Sequence, residues 1–231
     1  MATVSSPCPA RRVSRQRADV GRSVASSSVR RENGPRCAIG DTVMVSTPEE
    51  LAAAAEAVRA DLALDDVLAV LGEPHLVGSA ALGLMVWPDL DITVVCDALD
   101  IAALYRAAVD LVSHPRVRQL TFRNDSGSWN THPEKYPDGV YWGIDYRDGY
   151  RSWKVDIWFV ADADRQPDLR HVREFGPRLT PETRNAILDI KRAWVKRPEY
   201  GGAVTSFDIY TAVLDRGVRT PEEFERSLRS V

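Results

Sequence analysis

The spacing of apolar residues changes along the chain from a mixture of strand and helix patterns to a purely helical one. Alternating apolar and polar residues predict strands near residues 75–77, over 89–96 and 117–123, and on either side of the turn pair Asp148-Gly149. Helical spacing predicts helices over 48–60, 65–71 and 99–113, a short helix after Ser79, and only helices from Thr180 onward. The pattern therefore predicts an α+β fold, with a mixed sheet flanked by helices and a helical C-terminal extension.

Three helix starts carry a recurring capping signature. The sequence Thr47-Pro48-Glu49-Glu50 places Thr before the helix, Pro in its first turn and Glu three residues after the cap. The same four residues recur from Thr220 to Glu223, and Thr180-Pro181-Glu182 is a partial copy. Each of these segments predicts the first turn of a helix.

Composition divides the chain into three regions: 1–43, 44–165 and 166–231. The first is rich in Ser and Arg and has few large apolar residues, so we expect it to be disordered. Besides a dispensable tail, three interpretations remain open for it: an organelle transit peptide, an arm that binds nucleic acid, or a misplaced start with translation beginning at Met44. The second region is the predicted catalytic domain, the third is the helical extension, and we expect their boundary near a loop at 161–179.

Charge is unevenly distributed. Residues 1–40 contain eight Arg against two acidic residues, so the remainder of the chain carries a net charge of −9. An acidic body argues against a protein dedicated to duplex nucleic acid, and only a local basic patch would serve a phosphate-bearing substrate. No apolar run has the length of a membrane span, and three widely spaced cysteines indicate neither a disulfide framework nor a zinc site. We therefore expect a cytoplasmic protein without membrane partners.

The candidate chemistry begins with a pair of aspartates. On a strand, Asp89 and Asp91 lie on one face while Leu90 and Ile92 lie on the other, and two neighbouring carboxylates are favourable when both coordinate a divalent cation. A chain with 21 Asp is expected to contain about two Asp-x-Asp triplets by chance, and it contains two, at Asp89 and at Asp162. The triplet alone is therefore uninformative.

Two neighbouring features distinguish the first triplet. Gly78-Ser79 follows an apolar strand and begins a helical turn, an arrangement that offers backbone N–H groups and a hydroxyl to phosphate oxygens. Asp156 interrupts the apolar run of the segment SWKVDIWFV, where an ionised carboxylate without a partner would be costly. A metal ion would be such a partner.

These residues resemble the nucleotidyltransferase superfamily of polymerase-beta-like fold, which includes small bacterial nucleotidyltransferases and antibiotic adenylyltransferases. The shared pattern is an apolar residue, Gly, Gly or Ser, about 9 to 13 residues, then Asp, apolar, Asp or Glu, apolar. Here it is met by Val77, Gly78 and Ser79, nine residues, and then the four residues from Asp89 to Ile92. The resemblance covers roughly residues 50–160 and implies a nucleotidyltransferase-like mixed sheet, with Asp156 as the third carboxylate on a later strand.

The resemblance also implies a mechanism. Asp89, Asp91 and Asp156 would be the catalytic and metal-binding residues for two Mg²⁺ ions, with Asp156 beside the attacking hydroxyl and the candidate general base. Gly78 and Ser79 would hold the triphosphate. The expected reaction moves a nucleoside monophosphate, most simply AMP from ATP, to a hydroxyl of a small molecule or a protein. A non-catalytic nucleotide-binding protein and a metal-dependent phosphohydrolase are the alternatives.

The sequence departs from the family pattern at two positions. Many members carry Arg before the Gly that closes the helical turn and Ser before the first Asp, whereas this chain has Leu82 and Pro88. Phosphate or metal contacts made by that Arg or Ser would be missing here.

Two lysines complete the candidate site. Lys154 lies two residues before Asp156 and so on the same strand face, where it either balances the carboxylates and phosphate or points into solvent. Lys191 shares a helical face with Ile187, Ile190 and Trp194, and either reaches the phosphates or extends to the surface.

Aromatic residues are concentrated between Gly127 and Trp153. They would either pack the predicted hairpin or stack on a base or a sugar-like acceptor.

Overall fold

The computed structural model describes residues 46–133 and 136–229. The expectations for residues 1–43 therefore lie outside the described residues. The helices are α1 (Pro48–Asp61), α2 (Leu64–Ala69), α3 (Gly78–Leu82), α4 (Ile101–Val112), α5 (Pro167–Phe175), α6 (Pro181–Trp194), α7 (Ser206–Arg216) and α8 (Pro221–Leu228). The strands are β1 (Glu73–Val77), β2 (Asp89–Val95), β3 (Val117–Asp125), β4 (Gly139–Arg147) and β5 (Ser152–Val160).

The capping signatures form the predicted helix starts. The Thr47 hydroxyl accepts a hydrogen bond from the backbone N–H of Glu50, whose side chain accepts one in return from the N–H of Thr47. Thr180 and Thr220 cap α6 and α8 in the same position. Each cap satisfies N–H groups that the first helical turn leaves without a carbonyl partner.

The five strands form one mixed sheet in the order β1-β2-β5-β4-β3. Strands β2 and β5 are parallel, and the other three neighbouring pairs are antiparallel. The β4–β5 hairpin turns at Asp148-Gly149, as its sequence predicted. This order places β5 in the centre of the sheet, directly beside β2.

One face of the sheet packs against α1, α2 and α4. The inward residues of β2, β4 and β5 are almost fully buried there, together with residues of all three helices. A second apolar cluster joins α3 to helices α5–α8 and contains Ile187, Ile190, Trp194, Ile209 and Phe224. The helical part of the chain thus has its own core, and the opposite face of the sheet carries the polar side chains.

The predicted loop at 161–179 is wrong in part, because α5 occupies its centre. Pro167 begins this helix, and Val172 and Phe175 pack into the second cluster. Most residues of the segment PDLRHVREF are polar or charged, and its apolar periodicity is confined to Leu169, Val172 and Phe175, too short a pattern to have predicted a helix. The proposed boundary near this segment stays a prediction.

Candidate active site

The two aspartates of β2 lie on the polar face of the sheet. Alternation along the strand buries Leu90 and Ile92 in the core beneath and turns Asp89 and Asp91 to the other side. Strand β5 runs parallel to β2 with Asp91 opposite Asp156. The register of this one strand pair therefore brings the third predicted carboxylate to the first two.

The three carboxylates converge closely. One oxygen from each of Asp89, Asp91 and Asp156 lies within 4.8 Å of the others, and no other trio of acidic, His or Cys side chains in the described segments does so. The Asp89 and Asp156 side chains are each only 17% exposed. Three partly buried carboxylates at this spacing repel one another unless a positive charge lies between them.

The electrostatics of the trio reflect that repulsion. Burial raises the pKa of Asp89 to about 6, an effect that Lys154 opposes and Asp156 reinforces. Burial, with the charges of Asp89 and Asp156, raises the pKa of Asp91 well above its usual value. Asp89 Oδ1 is buried and accepts no hydrogen bond from any described residue. An all-oxygen donor set with an unsatisfied buried oxygen fits a hard divalent cation such as Mg²⁺.

Asp156 is held by two side chains from the sheet. The Lys154 ammonium contacts its Oδ2, and the Tyr141 hydroxyl donates to its Oδ1 at 2.9 Å. Lys154 Nζ also lies 3.9 Å from Asp89 Oδ1, too far for a hydrogen bond. Burial alone would lower the pKa of Lys154, but Asp156 and Asp89 raise it above its usual value. Lys154 is therefore a charged partner of the carboxylates.

Two glycines allow these close approaches. Gly78 has a φ of +62°, and a Cβ atom at this position would lie 2.4 Å from Asp91 Oδ2. A Cβ atom on Gly143, which pairs with Asp156 across the sheet, would lie 2.4 Å from the Tyr141 hydroxyl. Gly143 thus leaves the space through which the Tyr141 side chain reaches Asp156.

Gly78 and Ser79 form the junction between β1 and α3. Val77, the last residue of β1, pairs with Asp91, so the first turn of α3 begins beside the carboxylates. Ser79 is 8% exposed. The junction predicted to hold phosphate therefore adjoins the trio.

Lys191 is buried rather than extended to the surface. It is 1% exposed, and its Nζ donates to the Leu84 carbonyl at 2.8 Å and to the Tyr210 hydroxyl at 3.2 Å. Burial lowers the pKa of Lys191 to about 8, although the charges of Asp89 and Asp91 act to raise it. Lys191 is therefore close enough to interact with the charges of Asp89 and Asp91, while its hydrogen bonds are directed to protein atoms.

The two departures from the family pattern have structural consequences. Leu82 packs in the second apolar cluster, and the turn that follows it accepts hydrogen bonds from Arg184 of α6, at the carbonyls of Leu82 and Gly83. The Pro88 carbonyl accepts from the backbone N–H of Lys154, which pairs the start of β2 with β5. An arginine does reach the α3 turn, but it comes from a distant helix and binds backbone oxygens.

The aromatics of the hairpin region form two groups, apart from Trp129 and Tyr150, which are exposed. Trp142, Tyr146 and Trp153 are buried in the core, as hairpin packing predicts. Tyr136, Tyr141 and Trp158 lie on the polar face, where the Arg123 guanidinium lies 4.2, 4.9 and 5.6 Å from their ring centroids. Tyr141 contacts the carboxylates through its hydrogen bond to Asp156.

Sequence reasoning missed Tyr141, Arg184 and Tyr210 as site residues. The aromatic hairpin was a signal for Tyr141, but its contact depends on a cross-strand register that no motif encodes. The second Asp-x-Asp triplet has a different, local role. Asp162 Oδ1 accepts hydrogen bonds from the backbone N–H groups of Asp164 and Arg165 and so stabilises a turn.

No protein-family model matches the sequence, and no curated protein is significantly similar to it. Solved structures do match. The chain aligns with the non-canonical poly(A) polymerase complex GLD-2–GLD-3 at a TM-score of 0.52 and 17% identity, covering 73% of this chain and 53% of that one. It aligns with the Cid1 poly(U) polymerase, bound to Mg and 3′-dATP, at 0.50 and 15%, covering 72% and 48%.

These similarities establish the fold. It is the fold of these poly(A) and poly(U) polymerases, and it has the mixed sheet flanked by helices that the Gly-Ser and Asp-x-Asp resemblance implied. The chain spans about half the length of the two polymerases. In the described part of the chain, no helix combines the length and hydropathy needed to cross a membrane.

Proposed function

We propose that this chain is a divalent-metal-dependent nucleotidyltransferase that transfers a nucleoside monophosphate, most simply AMP from ATP, to a hydroxyl acceptor. The observation that carries the proposal is the convergence of Asp89, Asp91 and Asp156, with one oxygen of each within 4.8 Å of the others. Mg²⁺ is the expected metal, in two ions, and the acceptor is a small molecule or a protein. A cytoplasmic location stays a prediction from the sequence.

The carboxylates would hold the metal, and bound Mg²⁺ would stabilise the entering and leaving oxygens of an in-line displacement at phosphorus. Asp89 and Asp91 face the α3 junction, so Gly78 and Ser79 are proposed to bind the triphosphate beside them. Lys154 and Lys191 offset the negative charge that the carboxylates and the triphosphate bring together. The nucleotide therefore belongs on the α3 side of the trio.

The acceptor belongs on the side of Asp156 that faces β4. Both oxygens of Asp156 accept hydrogen bonds, one from Lys154 and one from Tyr141, and the second lone pair of each oxygen is left for a metal ion. A role as general base would require one of the two contacts to open. Tyr141 is proposed as a positioning residue, because its hydroxyl fixes the orientation of the Asp156 carboxylate.

Incubation with α-labelled nucleoside triphosphates, Mg²⁺ and candidate acceptors tests the proposal. Pyrophosphate release with labelling of the acceptor supports it, and both must disappear in the Asp89→Ala/Asp91→Ala variant. The matched control is Asp162→Ala/Asp164→Ala, which removes the other Asp-x-Asp pair and should keep activity.

Three other results would contradict the proposal. Nucleotide binding without turnover would indicate a non-catalytic protein of this fold. Hydrolysis without an acceptor would indicate a phosphohydrolase. Turnover that survives in Asp89→Ala/Asp91→Ala would place the active centre elsewhere.

A further inference from the structure

A cleft of about 330 Å³ lies where the start of β3 meets the end of β4, away from the three carboxylates. Its walls include Arg116, Arg118, Arg147, Asp148 and Gly149. We call it the arginine cleft. Three guanidinium groups line this one surface cavity, although the chain after residue 40 carries a net charge of −9. Such a local excess of positive charge in an acidic protein attracts anions.

The charges of the arginine cleft are only partly neutralised. Arg118 and Arg147 are exposed and form no ion pair with any described residue. Arg116 is partly committed, because its Nη1 lies 3.3 Å from an Asp61 oxygen and 3.2 Å from the Tyr146 hydroxyl. Two guanidinium groups therefore remain available to a ligand.

The acidic residue in the wall is occupied by its own turn. Asp148 Oδ1 accepts from the backbone N–H groups of Tyr150 and Arg151, and its Oδ2 accepts from Trp153 Nε1. These bonds, together with the nearby charge of Arg151, outweigh burial and lower the pKa of Asp148. The carboxylate is thus directed into the hairpin turn, and it offsets only one of the three positive charges.

The arginine cleft lies on the path that leads from Asp156 along β4. Gly143 pairs with Asp156, and Arg147 lies four residues further along the same strand, which corresponds to roughly 14 Å. Because the offset is even, Arg147 and Gly143 face the same side of the sheet. A molecule with a hydroxyl at Asp156 can therefore extend over Asp145 to the cleft.

We propose that the arginine cleft binds a phosphate group of the acceptor whose hydroxyl is presented at Asp156. The planar guanidinium group of an arginine can donate two parallel hydrogen bonds to phosphate oxygens. Two free guanidinium groups beside one cavity therefore suit a phosphate monoester or diester. The inference rests on the proposed function, because it assumes an acceptor at Asp156. The phosphate belongs to a small phosphorylated acceptor, and a short single-stranded nucleic acid, which would widen the acceptor class proposed above, is distinguished by the test.

Binding is measured by calorimetry in EDTA, so that no metal-bound centre competes for the anion. The probes are inorganic phosphate, tripolyphosphate, and a short single-stranded oligonucleotide beside its uncharged methylphosphonate counterpart. The test variant is Arg118→Gln/Arg147→Gln. The control, Arg106→Gln/Arg192→Gln, removes the same charge from the exposed sides of α4 and α6.

We expect tripolyphosphate to bind the wild type and the control, and its affinity to fall at least about tenfold in the test variant. An oligonucleotide that binds more tightly than tripolyphosphate, with a salt slope that becomes shallower by about two in the variant, identifies a nucleic-acid acceptor. Equal affinities for the oligonucleotide and for tripolyphosphate identify a small phosphorylated acceptor.

Absence of phosphate and tripolyphosphate binding, or an equal loss in the control, would overturn the inference. If Arg118→Gln/Arg147→Gln unfolds, as judged by circular dichroism, Arg147→Gln alone repeats the test. If nucleotidyl transfer persists without anion binding, only the proposed phosphate binding by the arginine cleft is refuted. Anion binding in EDTA without any transfer refutes the proposed function instead.

Discussion

At the scale of single residues, the site depends on contacts that reach across strands. Tyr141 lies on β4 and orients Asp156 on β5, and it does so only because Gly143 has no side chain to obstruct it. A glycine in mid-strand weakens a sheet, since it contributes no packing. Its presence opposite Asp156 is explained by the path of the Tyr141 side chain.

A double-mutant cycle tests this arrangement. Gly143→Ala should reduce kcat about tenfold, because the added methyl displaces the Tyr141 hydroxyl from Asp156. Tyr141→Ala should produce a similar loss, and Gly143→Ala should cost little more in that background. Transfer kinetics of the four proteins measure the coupling. Independent, multiplying losses would show that Gly143 acts apart from Tyr141.

Lys191 should impose a pH dependence on stability. Its pKa is about 8 in the folded protein and near 10.5 when unfolded, so between these values the unfolded state binds more protons. The free energy of unfolding should therefore rise by roughly 3 kcal/mol from pH 8 to 10.5. Below pH 8 Lys191 is protonated in both states, so it adds no pH dependence there and the full cost of burying its charge remains.

Lys191→Met isolates this contribution. Urea unfolding in EDTA is measured at intervals from pH 7 to 10.5. The difference in free energy of unfolding between wild type and variant should change by roughly 3 kcal/mol over this range. Other titrating groups cancel in the difference. Parallel curves for the two proteins would contradict the assigned pKa.

At the scale of elements, α6 supports the α3 turn. Arg184 donates to the carbonyls of Leu82 and Gly83 at the end of α3, and so ties the helical region to the junction that carries Gly78 and Ser79. These carbonyls belong to a helix end, where intrahelical donors are lacking. Leu82 is thus apolar at a position where many nucleotidyltransferases have arginine, and the arginine at this turn, Arg184, comes from α6 and donates to backbone oxygens.

Arg184→Met should lower the free energy of unfolding by about 1–3 kcal/mol, because two partly buried carbonyls lose their donor. It should also raise the KM for the nucleoside triphosphate, since the α3 turn is less firmly held. Denaturant unfolding and transfer kinetics measure the two effects. Arg192 lies on the exposed side of the same helix and pairs with Asp189, so Arg192→Met should change neither. A stability loss with unchanged KM would limit Arg184 to a structural role.

Most features that the sequence predicted are set by residues close together in the chain, whereas most contacts between distant residues were missed. Alternation along β2 and β5, and the Thr-Pro-Glu starts of α1, α6 and α8, are local patterns, and the structure has these elements where they were expected. Helix α5 was missed because its segment is mostly polar and gains its stability from packing. The contacts of Tyr141 and Arg184 depend on strand register and helix docking, which a single sequence does not specify.

At the scale of the whole molecule, the carboxylate trio opposes stability unless a cation binds between the three side chains. Asp89, Asp91 and Asp156 bring three like charges into a partly buried site, where Lys154 and Lys191 compensate them incompletely. Without metal, Asp89→Asn/Asp91→Asn should therefore raise the free energy of unfolding at pH 7, by on the order of 2 kcal/mol.

Addition of Mg²⁺ should make the wild type more stable than the Asp89→Asn/Asp91→Asn variant. An ion that binds only the folded state stabilises it by about 2.7 kcal/mol at a hundredfold excess over its Kd, so the Tm of the wild type should rise with Mg²⁺ concentration. The Asn variant lacks the ligands and should not respond. Thermal unfolding of both proteins across a Mg²⁺ titration, with Asp162→Asn/Asp164→Asn as control, measures the effect. A variant that is less stable than the wild type in EDTA would mean that the carboxylates serve the fold itself, and the case for a metal centre would lose its electrostatic basis.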